Sequence, residues 1–277
     1  MTLRLRASSA RTERSTRTAW RSSRWSRSAN CRSVSASARL TPARAVAIGN
    51  SNSLEYWEYK KGELTQSYRS PEPFTHDISR VVISGSADKA SIFIAMGSQI
   101  KGVTKRGKEF FKLDTSHTET VTQLHVAGTN LWSAGAYTLT CYASANNAIV
   151  DKYFFVCDDK INAMLVQQLT LGDSSQLENC VILACNDSSI KLISDQGRLM
   201  YQAILDSAPT CLCVVEATGA EEDGATALGK ARPNQILLLY GLQSGNIGAV
   251  ELQDDEAIVL WELNCSEDEA KAPVSSI

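Results

Sequence analysis

Side chains that could carry out acid–base chemistry are few and scattered in this sequence. The three histidines, His76, His117 and His125, lie in different segments, and no His-x-x-x-His pair, paired-carboxylate motif or Gly-x-Ser-x-Gly accompanies them. Catalysis of these kinds needs such groups converging on one site. The pattern favours surface or core histidines, so the sequence predicts no catalytic residue and no enzyme.

Two acidic runs, Asp158-Asp159 and Asp254-Asp255-Glu256, could suggest a cation site. Each falls where a turn between strands is expected, and aspartate is a common turn residue because its side chain bonds the nearby backbone. No Gly-x-Gly-x-x-Gly phosphate loop is present. The sequence therefore predicts neither a metal site nor a cofactor site.

None of the eight cysteines forms Cys-x-x-Cys or pairs with histidine at zinc spacing. Several lie in apolar runs, such as Cys180-Val-Ile-Leu-Ala-Cys185. With no secretory signal, the interpretation is reduced cysteine used as a small core residue.

The densest basic cluster beyond the N-terminus is Lys105, Arg106 and Lys108, with Gly107 between them. One interpretation is a solvated hairpin tip. The other is contact with an acidic partner or with phosphoinositide headgroups, to which each basic residue contributes on the order of 1 kcal/mol. Lys105, Arg106 and Lys108 are the predicted partner-binding residues.

Charge is distributed unevenly along the chain. Residues 1–44 hold eleven arginines and one acid, whereas the rest holds 17 Lys and Arg against 29 Asp and Glu. An acidic globular part argues against nucleic acid as a partner, because phosphate binding requires clustered cations. Residues 1–44 are a disordered or misassigned Arg/Ser-rich segment, a basic arm, or a mitochondrial transit peptide that is removed on import.

From residue 45 onward, apolar runs of four to six residues recur between Gly, Asn, Asp and Ser, as in Ser91-Ile-Phe-Ile-Ala95 and Val181-Ile-Leu-Ala184. Runs this short indicate buried strands rather than helices. Each opens a unit of four short strands. One unit runs from Ile92 through the strand 120–126, and another runs from Val181 through 210–215. The apolar run is predicted to be the innermost strand of its unit.

Units of about 40–50 residues with four strands are typical of propeller blades. The predicted fold is an all-β, incomplete β-propeller over residues 45–277, with about five of seven blades and a disordered N-terminus. An open propeller exposes two blade faces. We therefore expect that the chain is incomplete or that a partner caps its terminal blades.

The run Ile100-Lys-Gly-Val-Thr-Lys-Arg-Gly-Lys-Glu-Phe-Phe111, followed by Asp114-Thr115 and His117-Thr-Glu119, resembles the second blade of Bardet–Biedl syndrome 7 proteins. That blade has a G-F-T-K-R-G-K-x-F run and then T-x-L-T-E. The resemblance extends from about Ala45 to Leu263. Residues 1–44 have no counterpart in the family, residues 136–149 depart from its Tyr-rich pattern, and its last blades, coiled coil and C-terminal domains are absent here.

This resemblance implies a non-enzymatic scaffold subunit of the BBSome coat, which moves membrane-protein cargo to and from cilia or flagella. The implied partners are other BBSome subunits, cargo indirectly, and the membrane surface only through the complex. The implied locations are the cilium, its basal body and the cytoplasm. A propeller module of an intraflagellar transport or vesicle-coat complex is the alternative, and a propeller enzyme would need acids or histidines gathered at one mouth.

Overall fold

The recurrent short apolar runs become strands in the computed structural model, which describes residues 45–60, 62–85, 89–145, 148–170, 177–215, 236–252, 257–264 and 272–276. These residues belong to one compact unit, residues 32–277. Residues 1–44, with the predictions made for them, and the acidic run 254–256 lie outside the described residues. Along the described segments the chain forms nineteen strands and no helix, which confirms the all-β prediction.

The strands form five antiparallel sheets in which neighbours follow chain order. Sheet 1 contains β1 (Ala45–Asn50), β2 (Ser53–Lys60) and β3 (Glu63–Arg69). Sheet 2 contains β4 (Ile78–Ser84), β5 (Ser91–Met96), β6 (Gln99–Thr104) and β7 (Glu109–Asp114). Sheet 3 contains β8 (Gln123–Ala127), β9 (Asn130–Ala134), β10 (Thr138–Ala145) and β11 (Ala148–Val156). Sheet 4 contains β12 (Ile161–Thr170), β13 (Leu177–Cys185), β14 (Ser189–Ile193) and β15 (Leu199–Ile204). Sheet 5 contains β16 (Pro209–Val215), β17 (Ile236–Leu242), β18 (Asn246–Leu252) and β19 (Ala257–Asn264).

The grouping of strands corrects the predicted unit. The apolar runs β5, β9, β13 and β17 are the second strands of their sheets, and the strand predicted to end each unit instead opens the next sheet. The first strands are the ones that contact one another between neighbouring sheets, as β4 does with β8 and β12 with β16. The innermost position therefore belongs to the first strand.

Burial on both faces explains why the second strands are continuously apolar. In β5, Ile92, Ile94 and Met96 belong to a core cluster shared with sheet 1, whereas Phe93 and Ala95 belong to a cluster shared with sheet 3. Because side chains alternate between the two faces of a strand, one apolar run contributes to two different core clusters. Two further clusters join sheets 3 and 4 and sheets 4 and 5, so each sheet packs against the next along the chain.

Hydroxyl groups near the start of the first strands reinforce this stacking. Ser79 Oγ lies 3.1 Å from the carbonyl oxygen of Ala95 on its own second strand and 2.5 Å from that of Val121, just before the next sheet. In sheet 5, Thr210 Oγ1 lies 3.1 Å from Gly241 O and 2.5 Å from Val274 O. One small side chain thereby holds a strand of its own sheet beside the segment that follows the sheet.

The fourth strands form the outer edges of their sheets. Their side chains are mostly exposed or alternate between exposed and partly buried, as along β7. Phe154 on β11 and Ile204 on β15 are among the exposed apolar side chains of these edges. In the part of the chain that the structure describes, no helix has the length and apolarity needed to cross a membrane.

Candidate functional site

The basic run predicted to bind a partner forms the turn between β6 and β7. Thr104 organises it: Thr104 N donates to Lys108 O (2.9 Å), Gly107 N donates to Thr104 O (2.8 Å), and Lys108 N donates to Thr104 Oγ1 (3.1 Å). Gly107 has φ +82°, a conformation that favours glycine because a Cβ would crowd the backbone. The prediction of a hairpin tip with Gly107 at the turn is confirmed.

The three basic side chains of this turn do not share one role. Lys105 reaches back to sheet 1, where its Nζ lies 3.6 Å from Glu58 Oε1. The Glu58 side chain is only 12% exposed, so this pair is screened by solvent less than a surface pair. Arg106 and Lys108 are exposed. The structure therefore brings two of the predicted residues to solvent and places the third in a contact between sheets.

The tip also packs directly on sheet 1. A Cβ built on Gly107 would lie within van der Waals overlap of the Tyr68 ring, so the backbone of the turn rests against that ring. Tyr68 is partly buried against the core shared by sheets 1 and 2. The turn is consequently held by its own hydrogen bonds and by an aromatic support.

The turn between β14 and β15 repeats this arrangement in sheet 4. Ser194 takes the place of Thr104, since Ser194 N donates to Arg198 O at 2.8 Å and Gly197 N donates to Ser194 O at 3.0 Å. Gly197 (φ +78°) rests on the Tyr153 ring. The ion pair is also present, but with reversed charges.

In that second turn the acid lies at the tip and the lysine on the preceding sheet, with Lys152 Nζ 3.5 Å from Asp195 Oδ2. The hydroxyl residue, the glycine, the supporting tyrosine and the ion pair are therefore features that join neighbouring sheets. At the two exposed positions the first turn has Arg106 and Lys108 and the second has Gln196 and Arg198. Only the first of these positions differs in charge. No sequence pattern identifies Tyr68 or Glu58 as partners of the tip, because both belong to another sheet.

His117 is buried and bonds Ser133, with 2.8 Å between Nε2 and Oγ. Burial lowers the pKa of His117, which keeps the imidazole neutral. Nearby, Glu119 Oε1 accepts hydrogen bonds from the backbone N–H groups of Ala136 (2.5 Å) and Tyr137 (3.0 Å). Because Ser133 is fully buried, no substrate reaches the hydroxyl, and the histidine and carboxylate brace the turn between β9 and β10.

The remaining candidate groups are dispersed. His125 on β8 lies against Trp132, with 5.8 Å between ring centroids. Asp159 lies in the connection between sheets 3 and 4 and accepts from Lys160 N (2.7 Å) and Asn186 Nδ2 (3.3 Å). Among the described residues, no three His, Cys, Asp or Glu side chains are close enough together to hold a metal ion.

The first strands, where a propeller enzyme would gather its catalytic groups, carry Arg80 on β4 and His125 on β8 as their ionisable side chains besides the thiols of β16. No carboxylate lies on β4, β8, β12 or β16. These strands offer hydroxyls, amides and thiols rather than an acid–base pair.

Five consecutive antiparallel sheets, stacked face to face with their first strands in mutual contact, define a β-propeller protein. Solved structures share this fold. Saccharomyces cerevisiae Sqt1 has a TM-score of 0.60 at 12% identity, with 82% of this chain and 60% of that one covered. BBS1N, solved in complex with ARL6DN and soaked with mercury, has a TM-score of 0.60 at 13% identity, with 87% and 68% covered.

A family model described as the BBS7 beta-propeller matches residues 36–277, and the chain belongs to that family. BBSome complex member BBS7 of Mus musculus is 25% identical over 228 residues, which cover 81% of this chain and 29% of that protein. BBSome complex member bbs-7 of Caenorhabditis elegans is 23% identical over 222 residues, with 79% and 28% covered. The chain thus spans less than a third of these relatives' lengths, and the predicted family is confirmed.

Proposed function

We propose that this chain is a non-enzymatic scaffold subunit of a BBSome, acting through protein–protein contacts in the transport of membrane-protein cargo to and from cilia or flagella. The observation that carries the proposal is the match of residues 36–277 to the BBS7 propeller family, whose relatives are named as BBSome complex members. The protein would act at the cilium, the basal body and in the cytoplasm, and would reach membranes through the complex.

The packing of the sheets supports a scaffold role. Four core clusters join the five sheets in chain order, so the surfaces are held by tightly packed β-structure. We propose that residues 45–277 are the propeller unit and that residues 1–44 are a separate segment. Scaffold function needs a defined surface rather than reactive groups. The turn between β6 and β7, held by its own hydrogen bonds and by Tyr68, provides such a surface.

We assign partner contact at that turn to Arg106 and Lys108, with Lys105 holding the turn against sheet 1. Two exposed cations on a rigid tip suit an acidic surface of another subunit. They add modest affinity and increase the association rate, as charges at the rim of an interface do. Their contribution should weaken as salt screens the charges.

The test is affinity capture of the tagged full chain from flagellated cells, with mass spectrometry of the retained proteins. We expect several BBSome subunits in near-equal amounts. Retention of intraflagellar transport or vesicle-coat subunits instead would replace the proposal with its alternative, and retention of neither from monodisperse bait would remove the assembly role for this part of the protein.

The basic tip is tested with charge-reversed variants in the same assay. Arg106→Glu with Lys108→Glu should reduce the retained subunits several-fold at low salt. Gln196→Glu with Arg198→Glu, at the equivalent positions of the second turn, is the control matched in position and should leave retention unchanged. Equal loss in both variants would show a general charge effect and would reject the assignment to Arg106 and Lys108.

A further inference from the structure

Two buried cysteines meet where sheets 3 and 4 join. Cys157 directly follows β11 and Cys185 ends β13. Their sulfur atoms are 3.8 Å apart, with the Cys185 thiol donating to Cys157. Cys157 is 5% exposed and Cys185 is fully buried, so Cys157 is the one nearer to solvent.

An ion pair with a buried lysine lies next to these thiols. Lys191, whose side chain is 3% exposed, donates from Nζ to Asp187 Oδ2 at 2.6 Å. Ser189 holds the other carboxylate oxygen of Asp187, through its backbone N–H at 3.1 Å and its hydroxyl. A buried ammonium is retained only when it is paired. Both charges of this pair act on the two sulfurs: the ammonium lowers the pKa of each thiol and the Asp187 carboxylate raises it.

The surroundings make the two thiols unequal. The hydrogen bond from Cys185 lowers the pKa of Cys157, and Lys191 lowers it further, against the opposing effects of burial and of the Asp187 and Asp158 carboxylates. The pKa of Cys185 is raised by that same hydrogen bond and by burial. Cys141, a buried cysteine without these neighbours, has its pKa raised to about 11 by burial. A thiolate that accepts a hydrogen bond from a second thiol beside a cation is the arrangement of a reactive dithiol.

We propose that Cys157 and Cys185 are a redox-active dithiol that closes to an intramolecular disulfide joining sheets 3 and 4. With a peroxide as oxidant, the Cys157 thiolate attacks one peroxide oxygen and becomes a sulfenic acid, while the other oxygen leaves as hydroxide and takes up a proton to form water. The Cys185 sulfur then attacks the sulfenic sulfur, its proton leaves with the hydroxyl group as a second water, and the S–S bond forms. Two thiols and one hydrogen peroxide thus give one disulfide and two waters. The sulfurs must close from 3.8 Å to about 2 Å.

The expected selectivity follows from the thiolate populations. The pKa of Cys157 is lowered whereas burial raises that of Cys141, so Cys157 carries the larger share of thiolate at neutral pH. Cys157 should therefore react with peroxide faster than Cys141.

The test exposes the full folded chain to stoichiometric hydrogen peroxide, blocks the remaining thiols in denaturant, and maps the peptides by mass spectrometry. We expect a Cys157–Cys185 linked peptide, lighter by two hydrogen masses than its parts, to appear before Cys141 is modified. The proposal would be overturned if peroxide oxidised the half-buried thiols Cys211 and Cys213 first, while Cys157 and Cys185 remained free thiols that are alkylated in denaturant.

Single substitutions separate the two roles. In Cys185→Ser, Cys157 should stop at the sulfenic acid and be labelled by dimedone. In Cys157→Ser, Cys185 should remain unlabelled. Equal labelling of both variants would refute Cys157 as the attacking group. If either variant fails to fold, the peptide map of the unsubstituted chain still decides whether the disulfide forms.

Discussion

Replacing each of three glycines that have positive φ with alanine should distinguish the cost of backbone strain from the cost of disturbing a contact between sheets. The three variants should lose different amounts of stability, in a predictable order. Gly128 (φ +58°) has open space around its position, Gly107 (φ +82°) rests on Tyr68, and Gly197 (φ +78°) rests on Tyr153. All three substitutions add the same methyl group in the same backbone region, so only the neighbours differ.

The magnitudes follow from those neighbours. Gly128→Ala should cost about 1 kcal/mol, the strain of an L-residue in the left-handed region. Gly107→Ala should cost about 1–2 kcal/mol more, because the partly buried Tyr68 ring must leave its packing. Gly197→Ala should cost about 4 kcal/mol in all, since Tyr153 is likewise partly buried against a core cluster and in addition accepts a 3.0 Å hydrogen bond from Trp132 Nε1 that would be broken.

The assay is denaturant unfolding of the full chain, with the free energy of unfolding obtained by linear extrapolation. A Gly197→Ala variant no less stable than Gly128→Ala would refute the claim that these turns rest on tyrosines. The same series tests the proposed binding tip without changing charge. Gly107→Ala should lower retention of partners that bind Arg106 and Lys108, and Gly128→Ala should not.

Three further predictions concern the buried polar groups. Because burial lowers the pKa of His117, stability should be full above the ordinary imidazole pKa of about 6.5 and fall as the pH drops towards the folded-state pKa, since the unfolded chain binds the proton first; His117→Gln should flatten this part of a stability-against-pH curve. Asp187→Ala leaves Lys191 buried without its carboxylate and should cost about 3–5 kcal/mol, whereas adding Lys191→Met should recover part of that loss in the same denaturation assay. A double-mutant cycle with Lys105→Ala and Glu58→Ala should give a coupling of about 0.5–1 kcal/mol that decreases with salt, and a zero coupling at low salt would contradict the ion pair.

The sequence was enough to predict the strands and their repetition but not the phase of the repeat. Runs such as Ile92–Met96 are apolar because both faces of a second strand are buried, and that pattern does not tell which neighbouring strand lies further in. The connection from β7 to β8, residues 115–122, is made mostly of Ser, Thr, His and Glu, so its composition resembles that of a turn inside a sheet. No local signal therefore marks 120–126 as the opening of the next sheet.

For the basic tip, as for the fold, local features could be predicted from the sequence but contacts between sheets could not. The Lys105–Lys108 run and Gly107 indicate a hairpin tip through local turn chemistry, and the structure has that tip. Its contacts with Tyr68 and Glu58 depend on how sheet 2 packs against sheet 1, which single-chain spacing does not encode. The meeting of Cys157 with Cys185 is hidden for the same reason, because each lies in a different sheet and in an ordinary apolar or turn context.

The two repeated turns show which residues of the tip are free to specify binding. Thr104, Gly107 and Tyr68 have structural equivalents in Ser194, Gly197 and Tyr153, and the ion pair is kept with its charges exchanged. A feature that survives charge reversal serves the contact between sheets, where only the opposite signs of the partners matter. Gln196 stands where the first turn has Arg106, so the cation at position 106 lies outside that set and can change without loss of the fold, and the predicted effect of reversing it is confined to binding.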